Sequence, residues 1–371
     1  MKNKKSTNLI ILTGSGSGGP IAPLLALVPH LEKELGRASF LFIGAKGGTV
    51  EQHMAKKAGI SFIGITAAKL RRYWSLSNIF TPLRLLMGLV QAYRVLNALH
   101  PRCVVGAGGF VQVPVCYAAW MLGIPVFIHQ QDVMPGLANK LCAPIASRIT
   151  VTFRESMADF PHGWSVRNLQ TVNKVIWTGN PVRELVVPPR EKAIKHFKLD
   201  PDYPTVLIMG GGTGALSLNT LVAESLGMLT KSFNVLHITG KGKKGSPHKR
   251  ERYAAFEFID DMASSYAAAD MVLCRAGLST ITELAALKKP AILVPLPGTH
   301  QELNALYLSE EQAVLTLDQK LITPDNLATF LRTALFDHVL LKSLGKLLHE
   351  LMPPHAGQNV AKVIAKALEA K

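Results

Sequence analysis

The stretch Asp270-Met271-Val272-Leu273-Cys274-Arg275-Ala276-Gly277-Leu278-Ser279-Thr280-Ile281-Thr282-Glu283, continued by Lys289-Pro290-Ala291-Ile292-Leu293-Val294-Pro295, reads as strand, turn, helix, strand. Met271 to Cys274 is a short apolar run. Gly277 breaks it, and Ser279 and Thr280 offer caps for the alanine- and leucine-rich helix that follows. Such a helix start leaves backbone N–H groups and small hydroxyls where partial positive charge suits a phosphate. Glu283, about one turn further in, is placed to accept hydrogen bonds from sugar hydroxyls. Phosphate plus ribose describes a nucleotide; the competing reading is an ordinary β-α-β unit whose Ser and Thr only cap.

Two further openings repeat the strand-glycine-helix pattern. Asn8 to Thr13 runs into Gly14-Ser15-Gly16-Ser17-Gly18-Gly19, with Pro20 starting a helix to about Leu35; Thr205 to Met209 runs into Gly210-Gly211-Gly212-Thr213-Gly214-Ala215. The first hexapeptide fits GxGxxG, yet the next strand, Ser39 to Ile43, ends in Gly44-Ala45-Lys46-Gly47-Gly48 without the carboxylate that would hold an adenosine ribose. A nicotinamide site is therefore disfavoured. Two such openings one domain apart imply an α/β protein of two Rossmann-like domains facing each other across a cleft. The halves are residues 1–180 and 181–371, joined near Val186 to Arg190; the helical pattern from Val360 to Ala370 either caps the second half or packs back on the first.

The 371 residues exceed a usual single core, and 48% hydrophobic content is ample for two. No apolar run is long enough to span a bilayer, and no signal peptide is expected. Cys103, Cys116, Cys142 and Cys274 have no metal-ligand spacing and read as buried thiols. A formal charge of +16 calls for a polyanionic partner: nucleic acid, anionic lipid or phosphorylated substrate. Nucleic acid is disfavoured, because the cations flank glycine-rich loops and not aromatic stacking platforms. In Leu70-Arg71-Arg72-Tyr73-Trp74-Ser75-Leu76-Ser77-Asn78-Ile79-Phe80, and on to Arg84, large apolar residues alternate with arginines. That pattern fits shallow insertion into an anionic bilayer through Arg71, Arg72, Trp74, Ile79, Phe80 and Arg84, or plain packing of the same apolar groups under a loop.

Between these landmarks lie Val105-Gly106-Ala107-Gly108-Gly109-Phe110, His129-Gln130-Gln131-Asp132, Gly136-Leu137-Ala138-Asn139-Lys140, Thr178-Gly179-Asn180-Pro181-Val182-Arg183 and Phe258-Ile259-Asp260-Asp261-Met262. With the opening stretch and the glycine loops, they resemble the MurG family over nearly the whole chain and in the same order. The resemblance implies a two-domain GT-B glycosyltransferase that moves N-acetylglucosamine, with inversion, from UDP-N-acetylglucosamine to the undecaprenyl-pyrophosphoryl-linked MurNAc-pentapeptide, lipid I, giving lipid II. It places the enzyme peripherally on the cytoplasmic face of the inner membrane and calls for no cofactor and no metal. A divergent GT-B transferase with another acceptor, or an impaired UDP-sugar-binding scaffold, are the rival readings.

The same resemblance assigns donor binding to Ser17, Gly18, Gly19, Asp132, Arg183, Gly212, Ile259, Leu278, Ser279, Thr280, Ile281, Thr282, Glu283 and Gln301, and acceptor binding to Gly16, Gly108, Gly109 and Asn139. The chain departs from the family at two motifs. Pro20 stands where the first motif usually carries a histidine, and His129-Gln130-Gln131-Asp132 replaces His-Glu-Gln-Asn. Displacement at the anomeric carbon needs a base for the acceptor hydroxyl. With Pro20 unable to take a proton, Asp132 is the first candidate and His129 the second; the alternatives are a turn-forming aspartate and a buried, hydrogen-bonded ring. Asp260-Asp261 at a strand-to-helix junction reads as a helix cap and not as a metal site.

Overall fold

In the computed structural model, residues 7–16, 18–67, 81–160, 174–211, 214–243, 251–353 and 355–370 are described. The chain divides into two compact units, Met1–Arg183 with Pro353–Lys371, and Glu184–Met352. The first unit runs β1 (Thr7–Thr13), α1 (Ala22–Leu35), β2 (Ser39–Ala45), α2 (Thr49–Lys57), β3 (Ser61–Ile65), α3 (Thr81–Leu99), β4 (Pro101–Gly106), α4 (Gln112–Met121), β5 (Val126–Gln130), α5 (Leu137–Cys142), β6 (Arg148–Val151) and β7 (Val175–Trp177). The second runs α6 (Arg190–His196), β8 (Thr205–Met209), α7 (Leu216–Leu229), β9 (Asn234–Ile238), β10 (Tyr253–Phe256), α8 (Met262–Ala268), β11 (Met271–Cys274), α9 (Leu278–Ala286), β12 (Ala291–Leu293), α10 (His300–Glu310), β13 (Leu315–Thr316), α11 (Pro324–Phe336) and α12 (His338–Leu351). The last helix, α13 (Ala356–Glu369), returns to the first unit.

Both sheets are parallel among the described residues, in the orders β3-β2-β1-β4-β5-β6-β7 and β10-β9-β8-β11-β12-β13. Parallel strands are covered on both faces, so they read as unbroken apolar runs; β8 and β11 are buried at every position. Side-chain alternation sends Ile10 and Leu12 of β1 to one face, with α1 and α13, and Ile11 to the other, with α3 and α4. In the second unit Val206 and Ile208 pack against Val222, Leu226 and Leu331 from α7 and α11.

Position in sequence misleads for α13. Its buried stripe, Val360, Ala361, Ile364 and Ala365, packs against α1, and Gly357 admits the ring of His30 where a Cβ would stand 2.4 Å away. Burial of Val360 and Ile364 contributes about 1.5–3 kcal/mol each, so the second half does not extend to residue 371. The first helix also starts later than the glycine-proline step implies. Pro20 lies in a turn, Ile21 is the cap, and Pro23 occupies the first turn.

In each sheet the strand order reverses at the centre, between β1 and β4 and between β8 and β11. Ligands of open α/β sheets bind outside the carboxyl ends of strands at such points, where the following loops diverge to opposite faces. The glycine-rich loops after β1 and β8, and the Arg275-Ala276-Gly277 turn after β11, all fall there.

Candidate functional site

At the switch point of the second unit, Gly277 and not Ser279 or Thr280 is the cap of α9, with extended φ −84° and ψ 127° and no side-chain cap. Leu278, Ser279 and Thr280 form the first turn; the Thr280 amide donates to the Gly277 carbonyl at 3.1 Å, which leaves the Leu278 and Ser279 amides to a ligand or to solvent. Thr282 turns inward: its hydroxyl donates to the Leu278 carbonyl at 2.6 Å and the residue is buried. Ile281 is wholly buried as well, which makes both part of the packing of the helix. Glu283 is half-buried, and its Oε2 accepts a 2.7 Å hydrogen bond from the hydroxyl of Tyr266 on α8. Tyr266 has no exposed surface, so its ring is a fixed post for that carboxylate.

The neighbouring loop is as tightly built. A Cβ on Gly214, at φ 68°, would stand 2.2 Å from the Thr239 carbonyl, which only glycine tolerates. Arg275, at the end of β11, is buried and donates to the carbonyls of Val294 (2.9 Å) and Pro295 (3.2 Å), to Ser217 Oγ (3.0 Å) and to Gln319. Burial lowers its pKa from the ordinary arginine value, and a guanidinium stays charged at neutral pH all the same. Gln301, in the first turn of α10, accepts from the Leu296 amide at 3.1 Å, and its own amide donates to the capping hydroxyl of Thr299. Its side-chain oxygen thus closes a loop, leaving its NH₂ for a ligand. A cavity of about 220 Å³, lined by Pro295, Glu302, Leu306 and Asp318 among others, lies beside this turn. A larger one of about 290 Å³ lies at the amino end of β11, around Arg190 and Asp270, away from the switch point.

Ile259 is half-buried beside exposed Phe258, over whose ring Lys241 Nζ stands 4.9 Å from the centroid. Asp261 caps α8 through the Ser264 amide at 3.1 Å and the Ser264 hydroxyl, and those hydrogen bonds hold its carboxyl below the usual range. Among the described residues no group of three His, Cys, Asp or Glu side chains converges on a metal position.

In the first unit the loops after β1 and β4 touch. A Cβ on Gly109, at φ 86°, would meet the Ser15 backbone at 2.3 Å, and Ser15 Oγ accepts from the Val111 amide at 3.2 Å. The Gly16 amide donates to Glu51 Oε1 at 3.0 Å, and Glu51 is buried. Glu51 went unnoticed in the sequence because it lies in the first turn of α2 and not at the end of β2. The signal was an acidic residue three positions past Gly48, where helix starts favour one. Its carboxylate serves the loop amide.

His129 is the buried ring and not a cleft-facing base. It is 2% exposed, its Nδ1 lies 2.9 Å from Thr150 Oγ1 and its Nε2 2.9 Å from Asn180 Oδ1. Burial pushes its pKa from 6.5 down to about 4, against a smaller opposing effect of the Asn180 hydrogen bond, so both nitrogens are committed and the ring is neutral. Asn139 is likewise engaged: it is buried, donates to the His129 carbonyl (3.1 Å) and Gln130 Oε1 (2.6 Å), and accepts from Gln112 Nε2 (2.7 Å). It ties the turns after β4 and β5 together. Asp132 is half-buried in the turn after β5. Gly16 is exposed, Gly18 and Gly19 are half-buried, and Gly108, at φ 106°, has open space where a Cβ would be. Arg183 is exposed and ends the first stretch of this unit. Ser17, Gly212, Arg71, Arg72, Trp74, Ile79 and Phe80 lie outside the described residues. Arg84 lies within them, exposed on α3.

Comparison with known proteins agrees with this layout. Residues 10–151 match the glycosyltransferase family 28 N-terminal domain and residues 205–343 the family 28 C-terminal domain. The chain is 38% identical over 330 residues to the UDP-N-acetylglucosamine–N-acetylmuramyl-(pentapeptide) pyrophosphoryl-undecaprenol N-acetylglucosamine transferase of Lachnospira eligens, covering 87% of this chain and 90% of that protein. It is 35% identical over 372 residues to the transferase of the same name from Clostridium botulinum, covering 97% and 98%. The crystal structure of Acinetobacter baumannii MurG is similar with a TM-score of 0.72 and 26% identity, over 96% of this chain and 99% of that one.

Proposed function

The chain belongs to the MurG family of family 28 glycosyltransferases, GT-B enzymes of two Rossmann-like units, and from that premise we propose that it transfers N-acetylglucosamine from UDP-N-acetylglucosamine to lipid I, giving lipid II. The observation that carries the donor side is the α9 start: a helix N-terminus without a side-chain cap, followed within two turns by a carboxylate held on a buried tyrosine. First-turn amides at Leu278 and Ser279, with the hydroxyls of Ser279 and Thr280, suit a diphosphate, and Glu283 suits the hydroxyls of a ribose. Ile259 serves the base and Gln301 the sugar. Donor roles for Ser17, Gly18, Gly19, Asp132, Arg183 and Gly212 belong to the same proposal.

The chemistry is a single displacement with inversion. The acceptor hydroxyl oxygen bonds to the anomeric carbon while the bond to the UDP oxygen breaks; UDP leaves with the electron pair, and the hydroxyl proton passes to a base. Charge building on the departing diphosphate is met by fixed amide dipoles that need no reorganisation. Since both nitrogens of His129 are committed, Asp132 is the base, beside the glycine turns Gly16 and Gly108–Gly109 that receive the acceptor diphosphate.

No helix among the described residues is long and apolar enough to cross a membrane. The proposal places the protein peripherally on the anionic cytoplasmic face of the inner membrane. Supporting this, α3 exposes Leu83, Leu85, Leu86, Met87 and Val90 beside the cations Arg84 and Arg94. The deciding experiment measures UDP release from UDP-N-acetylglucosamine with and without a lipid I analogue. Acceptor-dependent release that Asp132→Asn abolishes, with UDP binding retained, is the expected result; release indifferent to the acceptor, or a near-normal Asp132→Asn enzyme, defeats the respective assignment.

A further inference from the structure

Between the turns after β4 and β5 runs a chain of side-chain amides that the displacement chemistry does not use. The Gly108 amide donates to Gln112 Oε1, Gln112 Nε2 donates to Asn139 Oδ1 at 2.7 Å, and Asn139 Nδ2 donates to Gln130 Oε1 at 2.6 Å. Gln130 Nε2 then donates to the carbonyls of Asp132 (2.8 Å) and Met134 (3.0 Å). Gln112, Asn139 and Gln130 are 0%, 3% and 2% exposed, so water does not substitute for a missing partner.

Every link points the same way. Each amide uses its oxygen toward the β4 turn and its nitrogen toward the β5 turn; reversing one would set oxygen against oxygen or NH₂ against NH₂ at both its ends. The chain therefore has one low-energy arrangement and moves as a unit. The backbone is fitted to it: a Cβ on Gly106, the last residue of β4, would stand 2.5 Å from Gln112 Oε1. A second tie, Gln131 Nε2 to the Ala107 carbonyl at 3.1 Å, joins the same two turns.

We propose that Gln112, Asn139 and Gln130 are positioning residues that couple the Gly108–Gly109 turn to the turn carrying Asp132, so that displacement of one is transmitted to the other. This rests on the reading above, in which the first turn receives the acceptor diphosphate and the second carries the base. An acceptor seated on the glycine turn then aligns the carboxylate that takes its proton. A carboxylate at position 130 does not do the same work, because it has no hydrogen to give the Asp132 and Met134 carbonyls.

The test uses two near-isosteric variants of the full-length protein, Gln112→Glu and Asn139→Asp, each read in two ways. In hydrogen–deuterium exchange the amides of Asp132, Val133, Met134 and Gly136 are expected to exchange faster in Gln112→Glu, a substitution at the far end of the chain of amides. In the UDP-release assay kcat is expected to fall about tenfold, with the donor KM within about twofold of wild type. The double variant should be no slower than the worse single one, because both interrupt the same path. Exchange that changes only around residues 108–112, or exchange that changes at 132–136 with kcat intact, overturns the proposal. Should Gln112→Glu fail to fold, Asn139→Asp, which keeps the Gln112 link and loses only its two donated hydrogen bonds, decides alone. Absence of acceptor-dependent release in the wild type defeats the functional reading instead, and the exchange arm still decides whether the turns are coupled.

Discussion

Replacing Tyr266 by phenylalanine removes one oxygen from a wholly buried ring and leaves its packing in place. The atom lost donates a 2.7 Å hydrogen bond to Glu283 Oε2. Hydrogen bonds to charged groups are worth about 1.5–3 kcal/mol net; because Glu283 is half-exposed, water recovers part of this, and the lower end, about 1.5 kcal/mol, is the relevant figure. If the bond fixes the carboxylate where it meets the donor's ribose, that loss appears as up to about tenfold weaker UDP binding, since about 1.4 kcal/mol is a factor of ten. Glu283→Ala, which removes the acceptor itself, should weaken binding at least as much. In turnover both variants should raise the donor KM with kcat nearly unchanged, the signature of lost uniform binding. Calorimetric titration with UDP checks the magnitudes. Weakened binding in Glu283→Ala with wild-type affinity in Tyr266→Phe would refute the orienting role of the tyrosine, and wild-type affinity in both would remove Glu283 from nucleotide recognition.

Stability should fall in mild acid, because burial lowers the pKa of His129 and of His237 from 6.5 to about 4. Between those values the unfolded chain binds more protons than the folded one, so each histidine costs its unit about 2 kcal/mol at pH 5 relative to neutral pH, and nothing above the unfolded pKa; urea unfolding at pH 7 and pH 5 with NMR titration of the rings checks this, and ring pKa values near 6.5 would refute it. Gly88→Ala should destabilise the first unit by about 1–3 kcal/mol, since the added Cβ would stand 2.3 Å from the Thr66 carbonyl; an unchanged melting temperature would mean that α3 shifts freely. Leu83→Asp with Leu86→Asp, at positions 57% and 56% exposed, should abolish binding to anionic liposomes while leaving turnover on a soluble acceptor and thermal stability intact. Liposome binding that persists would take α3 out of the membrane contact.

What the sequence disclosed follows from how these units are built. Central parallel strands buried on both faces leave uninterrupted apolar runs with a glycine close behind, as at Met271 to Cys274 and Val206 to Met209, and these were legible. The edge strands β10 and β13 were not: they are four and two residues long and partly exposed, so neither alternation nor a run marks them. Site chemistry was legible where one short stretch supplies it, as in the α9 turn, and hidden where partners lie far apart in the chain. Tyr266 meets Glu283 across 17 residues, Gln112 meets Asn139 across 27, and His129 meets Asn180 across 51. Candidates chosen one at a time, His129 and Asn139 among them, proved to be spent on one another's neighbourhoods.

The two switch points share a backbone plan but are braced by different chemistry, and the difference bears on which ligand each receives. In the first unit neutral amides link the diverging loops, and a buried carboxylate, that of Glu51, lies under the Gly16 turn. In the second unit the corresponding brace is the guanidinium of Arg275, whose partners among the described residues are carbonyls, a hydroxyl and an amide oxygen. None of these neutralises it. A full positive charge held in a low-dielectric setting at the end of β11, with the α9 amides beside it, favours a diphosphate far more than an amide network does. Since the acceptor carries a diphosphate as well, what this charge distinguishes is the demand of departure: the second unit suits the diphosphate on which charge builds as it leaves.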